Sequence, residues 1–227
     1  MTTLRVLVGC EFTGTVRRAF AARGHDAWSC DLLPAEDRSN KHITGDIRDI
    51  LADGWDLLIV AHPPCTRLCR AGRRWLSGEG FMTPPKKLPA GRTWDSMKQE
   101  FKDGVDLFTA CWRAPVDRIA IENPEMHDIA KAHMPNDLPA PQMVQPHHFG
   151  HPEYKNTGWY LKNLPCLTPT HKLPEPQRGS DEWKKWCRVH RMPPGPERAK
   201  ERSRFFPGMA DACADQWGGW ALESIAA

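Results

Sequence analysis

No apolar run in these 227 residues approaches the roughly 20 needed to span a bilayer. The opening "MTTLRVLVGCEF" also lacks the apolar core of a cleavable leader. A soluble, unprocessed, cytoplasmic chain with no membrane partner is the expectation. Missing too is any G-x-G-x-x-G: "GCEFTGTV" has two glycines at phosphate-loop spacing, but no Lys follows. ATP and NAD are therefore disfavoured. Charge is nearly balanced, with 31 Lys and Arg against 28 Asp and Glu and a net +3. Contact with nucleic acid must then come from local clusters rather than from overall charge. No internal repeat is visible. The eight cysteines are scattered at 10, 30, 65, 69, 111, 166, 187 and 213, in a chain long enough to build a core without stapling, and are expected as thiols.

What is present is an alternation of strand-like and helix-like segments. "LRVLVGC" is a β-branched, mostly apolar run that fits a strand covered on both faces. "TVRRAFAARG" follows as a helix closed by Gly24, then "DAWSCDLL" as a strand, "HITGDIRDIL" as a short strand or turn leading into a helix, and "WDLLIVAH" as a fourth strand. Gly, Pro and Lys from Ser77 to about Asp95 predict a long mobile loop. "SMKQEFKDGVDLFTACWRA" reads as an amphipathic helix with Phe101, Val105, Phe108 and Cys111 or Trp112 on one face. "VDRIAIENP" is strand five, a Pro- and His-rich stretch covers 132–152, and "NTGWYLK" is a further strand. Residues 163–196 show little periodicity, and "ADACADQWGGWALESIA" reads as a helix interrupted or bent at Gly218 and Gly219. Successive β-α units predict an open, largely parallel α/β sheet, whose ligands bind at the carboxyl ends of the strands.

Chemically marked residues fall at those ends. Glu11 and Phe12 follow strand one, Asp31 ends strand two, Asp46 lies near strand three, Pro64 and Cys65 follow strand four, and Glu122 and Asn123 end strand five. Asp31 and Asp46 suit ribose and adenine, although Asp also caps helices well. With the glycine turn they favour a cofactor bearing a nucleoside but no phosphate, S-adenosylmethionine. A carboxyl at a buried strand end, like Glu122, has its pKa raised and can donate a proton near neutrality. Cys65 has three readings: metal ligand, buried structural thiol, or nucleophile. The zinc deaminase pattern requires P-C-x-x-C after H-x-E, whereas here the spacing is P-C-x-x-x-C and the only H-x-E, His151 to Glu153, lies downstream. No metal is expected. A nucleophile needs thiolate character, which Arg67, Arg70 or a following helix N-terminus would favour. Arg67, Arg70, Arg73 and Arg74, and a second basic stretch from Lys184 to Arg204, suit phosphate contact.

These segments together resemble, in order and over nearly the whole chain, the DNA cytosine carbon-5 methyltransferase family, in a short form of phage or prophage type. "WDLLIVAHPPCTRL" is similar to that family's Pro-Cys motif, and "RIAIENPEM" to its Glu-Asn-Val motif with Pro124 in place of Val. "CEFTGTVRRAF", "CDLLP" and "GDI" resemble the cofactor motifs, with Val16 where a glycine is usual. "HFGHPEYKNTGWYLK" resembles the Y-G-x-P-Q-x-R-x-R stretch, with Glu153, Lys155 and Thr157 at the Gln, Arg and Arg positions. "ERSRFFPGMADACADQWGGWA" is similar to the two C-terminal motifs.

The resemblance implies a Rossmann-like S-adenosylmethionine-dependent methyltransferase sheet with helices on both faces. Residues 1–162 would form the catalytic and cofactor domain, 163–198 a small irregular recognition segment, and 199–227 a helical return. Glu11, Phe12, Gly14, Asp31, Asp46, Ile47, Gln216 and Gly218 would hold the cofactor. Cys65, Pro64, Glu122, Asn123 and Lys155 would form the catalytic group, with Arg67, Arg70, Arg73 and Thr157 on the DNA substrate and Cys69 a bystander. The loop at 66–95 would close over a flipped base. About 35 residues are left for target recognition, including Trp183 and Trp186, so a short or lax target site is expected. Two other readings stand beside this one. A free cytosine nucleotide is a possible substrate, since thymidylate-type synthases also use a Pro-Pro-Cys nucleophile on carbon-6. The other is a DNA-binding relic without turnover.

Overall fold

The computed structural model describes residues 2–73, 88–193 and 195–226. Arg74 and most of the expected 66–95 closing loop lie outside the described residues.

Strands β1 (Arg5–Gly9), β4 (Leu57–Val60) and β5 (Ile119–Glu122) are the continuous apolar runs, and their interior residues are fully buried. They sit at the centre of a seven-stranded sheet with β2 (Asp26–Asp31), β3 (His42–Thr44), β6 (Gln142–Val144) and β7 (Thr157–Lys162) in the order β3-β2-β1-β4-β5-β7-β6. The first five pair in parallel, and β7 runs antiparallel between β5 and β6. This is the α/β, Rossmann-like sheet expected from the sequence. The order reverses between β1 and β4, and that switch point opens a crevice at the carboxyl edge.

Alternation along the strands divides the core into two layers. Val6, Val8, Leu57, Ile59 and Ala120 face helices α1 (Thr15–Ala21) and α8 (Pro207–Ala226), together with Phe20, Trp159 and Trp217. Leu7, Leu58, Val60, Ile119 and Ile121 face the other way, onto Phe101, Phe108 and Trp112 of α3 (Trp94–Trp112). Helix α3 starts two residues earlier than predicted because Thr93 and Ser96 form a reciprocal capping box.

Two expectations are corrected, and one strand is added. Helix α8 runs unbroken through Gly218 and Gly219. At Gly218 a Cβ would stand 3.0 Å from His25 Nε2, so the glycine permits close approach to the α1-β2 turn rather than a break. The Pro- and His-rich stretch contains an edge strand, β6, paired with β7. Of the supposedly irregular 163–198 segment, only the first part lacks regular structure. Beyond it come α5 (Asp181–Trp186, capped by Ser180), α6 (Arg188–Arg191) and the start of α7 (Pro196–Arg202). Its first residues are bonded to α8, with Trp217 Nε1 donating to the Pro165 carbonyl at 2.9 Å and Trp220 Nε1 to the Asn163 carbonyl at 3.2 Å.

Trp159 of β7 meets Trp217 of α8 edge to face, with centroids 5.0 Å apart, and both are fully buried. Trp217→Ala is expected to lower unfolding free energy by about 3–5 kcal/mol, read from the urea midpoint at constant slope. A loss below about 1 kcal/mol would show that α8 does not depend on this contact.

Candidate active site

The approach to the site begins at β4. After Val60 the chain passes through Pro63 and Pro64, which hold it extended. It then folds into a single turn, in which the Cys65 carbonyl accepts the amides of Leu68 and Cys69 at 3.0 Å each. Helix α2 (Arg70–Arg73) follows. At Gly72 a Cβ would lie 2.1 Å from the Thr66 carbonyl oxygen, so this turn closes only around a glycine.

On the neighbouring strand, Glu122 is 3% exposed and its Oε1 has no hydrogen-bond partner. The next amide, Asn123 N, donates to the Gly158 carbonyl at 2.9 Å, which locks the end of β5 to β7. Between these strand ends lies a pocket of about 400 Å³, lined by His62, Pro64, Cys65, Cys69, Glu122, Lys155 and Arg202, among others.

Burial raises the Glu122 pKa to about 7, against the pull of Lys155 and Arg202. Burial lowers that of Lys155, against the pull of Glu122 and Cys65. His62, packed on Phe205 with an unpartnered Nε2, is held well below its ordinary value by burial and stays neutral. The Cys69 thiol one turn on, then burial and the Glu122 charge, hold Cys65 well above the usual thiol range, while Cys69 falls to about 6.

The structure brings Pro64, Cys65, Glu122, Lys155 and Arg70 to the pocket wall. Asn123 sits behind it, fully buried, with Nδ2 donating to the Pro124 carbonyl and Oδ1 unpartnered. The expected substrate contacts Arg67, Arg73 and Thr157 have other partners, and Arg70 is paired within the pocket wall. Arg67 is 6% exposed and its Nε donates to Glu100 of α3 at 2.8 Å, so it is an internal ion pair rather than a phosphate contact. Arg73 pairs with Asp128 at 3.0 Å, at the start of α4 (Asp128–Ala132), and Arg70 pairs with Glu125 at 2.6 Å. Thr157 donates its hydroxyl to the Lys155 carbonyl at 3.0 Å and so supports the turn that carries the lysine instead of facing the pocket. Arg202, His62 and Cys69 line the pocket as well, beyond the site residues the sequence singled out. Arg202 lies in the basic stretch from Lys184 to Arg204, and Cys69, expected as a bystander, is one turn from Cys65.

At the cofactor end, Glu11 is completely buried, with its carboxylate accepting Val16 N at 2.6 Å and Arg17 N at 3.2 Å. It fills the amides at the start of α1 that a phosphate would otherwise take. Gly14 caps α1 at φ 67, and a Cβ there would meet Arg17, Asp37 and Arg18. The Phe12 carbonyl accepts Glu36 N at 2.9 Å, and Ile47 packs against Gly9. Asp31 ends β2 with Oδ1 accepting Leu33 N at 2.9 Å, beside Leu32 and Leu33, which are 75% and 53% exposed. An acid flanked by apolar surface fits a nucleoside. Three expectations here are corrected. Asp46 caps the short 3-10 turn Ile47–Ile50 and pairs with Arg48, which occupies both its oxygens. Gln216 makes a two-way bond with the Thr168 backbone at 2.7 and 2.9 Å. Gly218 packs on His25, at the opposite edge of the sheet from Asp31.

Among the described residues no helix is long and apolar enough to cross a membrane, and no group of three or more His, Cys, Asp or Glu could hold a metal ion. The fold and pocket define an α/β protein with a Rossmann-like sheet, in which Cys65 and Glu122 share one pocket at the carboxyl edge. No family model matches the chain, and no curated protein matches it. Similar solved structures include a prophage-encoded E. coli protein described as a DNA modification methyltransferase, 18% identical over 76% of this chain and 52% of that one, with a TM-score of 0.45. Another is the S. pombe Dnmt2 methyltransferase, 17% identical over 70% of this chain and 49% of that one, with a TM-score of 0.42. The chain spans about half the length of each.

Glu122 holds its proton in the folded chain to about pH 7 and releases it near 4.5 when unfolded. The folded state therefore carries the extra proton between those values, and stability falls as pH rises through that window. Glu122→Gln removes this dependence. Relative to the parent, the variant is expected to gain roughly 3 kcal/mol between pH 4 and pH 8, measured by urea unfolding across that range. An unchanged difference would show that the carboxyl is not buried in solution.

Proposed function

We propose that this chain methylates carbon-5 of cytosine in DNA, using S-adenosylmethionine and a covalent bond from Cys65 to carbon-6 of the base. The observation that supports it most is that Cys65 and the buried Glu122, whose Oε1 has no partner, line one pocket of about 400 Å³. Asp31 and the exposed Leu32 would hold the nucleoside of the cofactor, whose chemistry is an electrophilic methyl group on a sulfonium. The filled α1 amides suit a cofactor with no phosphate to bind there.

Carbon-5 of cytosine is too electron-poor to take a methyl group directly. Bonding of the Cys65 sulfur to carbon-6, its thiol proton passing to solvent as Glu122 donates its own proton to N3, turns carbon-5 into an enamine carbon. Lys155 and Arg202 favour the Glu122 carboxylate left behind. After transfer, loss of the carbon-5 proton to solvent expels the Cys65 thiolate, and N3 returns its proton to Glu122. In a duplex the base has first to leave the stack, and Arg202 and His190, which line the pocket, would meet the strand.

Incubation with labelled S-adenosylmethionine is expected to label cytosine-containing DNA. Cys65→Ala should reduce this to background, and Glu122→Gln should reduce it by about 10²–10⁴. Labelling of dCMP but not of DNA would replace this reading with nucleotide modification. For the parent, the rate should decline as pH rises above about 7, because Glu122 then loses the proton it must donate. A rate still climbing at pH 9 would rule out Glu122 as the acid.

A further inference from the structure

A basic groove borders the pocket across one short helix, and the chemistry above gives it no role. The groove, of about 420 Å³, is lined by Lys184, Lys185, Arg188, Arg191 and Met192. Helix α6 supplies Arg188 and Arg191 to it, and the same helix supplies Val189 and His190 to the wall of the pocket that holds Cys65 and Glu122. With about 3.6 residues per turn, Arg188 and Arg191 share one side of α6, and Val189 and His190 the other. Arg188 ties the two cavities together, because its guanidinium pairs with Glu201 at 2.9 Å and Glu153 at 3.4 Å, and both acids line the pocket.

Charge in the groove is only partly compensated. Lys184 pairs with Asp181 at 2.7 Å and Arg188 with the two glutamates, whereas Lys185 and Arg191, both exposed, meet no acidic side chain among the described residues. The groove is also fixed in place. Trp186 is 4% exposed and packs on Tyr154 and His147, and its carbonyl accepts the Tyr154 amide at 2.9 Å. Tyr154 itself lines the pocket, so the groove and the pocket are anchored to the same wall.

We propose that this groove holds backbone phosphates of the nucleic-acid strand whose base enters the pocket. The inference rests on the function proposed above for the identity of that base, and it goes further by making the substrate a strand rather than a free nucleotide. A helix is about 10 Å across, and a stacked strand rises about 3.4 Å per nucleotide. The groove therefore lies roughly three nucleotides along the strand from the base in the pocket. Arg191 offers a planar fork to one phosphate and Lys185 a point charge to another. The single phosphate of dCMP stays on the pocket side of α6. Phosphate contacts carry no sequence information, so the groove positions a strand without choosing its target.

The test is binding of a fluorescein-labelled single-stranded oligodeoxynucleotide of roughly 12 nucleotides, with one central cytosine, to the full chain between about 50 and 200 mM salt, read by anisotropy. Lys185→Gln and Arg191→Gln are each expected to weaken binding at least threefold at the low-salt end. Each should also reduce the slope of log affinity against log salt by roughly 0.7, and the double variant by about twice that. Arg191→Lys keeps the charge and should keep the slope. Lys162→Gln is the control, since Lys162 pairs in register with Ile119 at the amino edge of the sheet, opposite the pocket. A slope unchanged in the double variant, or lowered as much by Lys162→Gln, would overturn the proposal. Displacement of the oligonucleotide by polyglutamate at equal charge would overturn it too, because an acidic protein segment would then fit as well. Methyl transfer from labelled S-adenosylmethionine is measured on the same samples. A reduced slope in a protein that labels neither DNA nor dCMP would sink the function but leave the groove as a strand-binding site, and normal labelling of DNA with an unchanged slope would do the reverse. Labelling of dCMP but not of the oligonucleotide would overturn both.

Discussion

A carboxyl group cannot be taken out of water in its ionised form without a cost of several kcal/mol, and the end of β5 is where this protein does so. Glu122 follows Ile119, Ala120 and Ile121, all fully buried, and lies between β4 on one side and the antiparallel β7 on the other. That enclosure leaves it protonated near neutrality. Lys155 and Arg202 are close enough to lower the cost of ionisation without abolishing it. An acid that is neither locked neutral nor freely ionised results, and the polarity of the pocket is arranged around it.

Holding a thiol against that acid requires backbone to pass very close to backbone. Gly72 lets α2 fold onto the Thr66 carbonyl. Gly104, inside α3, lets that helix approach the Pro64 carbonyl, where a Cβ would stand at 3.2 Å, and Leu68 at 3.4 Å. A glycine inside a helix costs about 1 kcal/mol relative to alanine, and here the return is rigidity at Cys65. Prolines on one side, glycine-permitted packing on two others and the β5-β7 lock leave the sulfur little freedom, which is what orientation of a nucleophile demands.

Much of this was legible in the sequence, for identifiable reasons. The central strands are runs of apolar residues too short for helices, and acids, prolines and cysteine stand at their ends, so the carboxyl edge could be read directly. Strand β6 could not be read, being three residues long at the sheet edge with Met143 exposed. Helices α5 to α7 lie in a proline-rich stretch where periodicity is weak and the Ser180 cap is the main signal. Arginines misled most. Whether Arg67 meets a phosphate or Glu100 depends on a residue 33 positions away on another element, and local pattern carries no such information. Asp46 shows the same limit at short range, since an acid at a strand tip can cap or bind, and Arg48 decides for capping.

The two ends of the crevice also divide the chemistry between them. At β1 the Glu11 carboxylate, fixed in the chain, satisfies the α1 amides, with Arg17 and Arg18 favouring its charge against burial. A nucleotide phosphate brought there would displace an anion already held at 2.6 Å, so recognition on this side passes to Asp31 and its exposed leucines on β2. The reacting groups stand beyond β4 and at the end of β5. Neighbouring strands are ~4.8 Å apart, and β1 intervenes between β2 and β4, so recognition and reaction are about 10 Å apart along one edge. A molecule recognised by its nucleoside and reactive at a group beyond the ribose would match that separation, whereas a phosphate at the start of α1 would meet the Glu11 carboxylate. The proposed cofactor therefore follows as much from what Glu11 closes off as from what Asp31 offers.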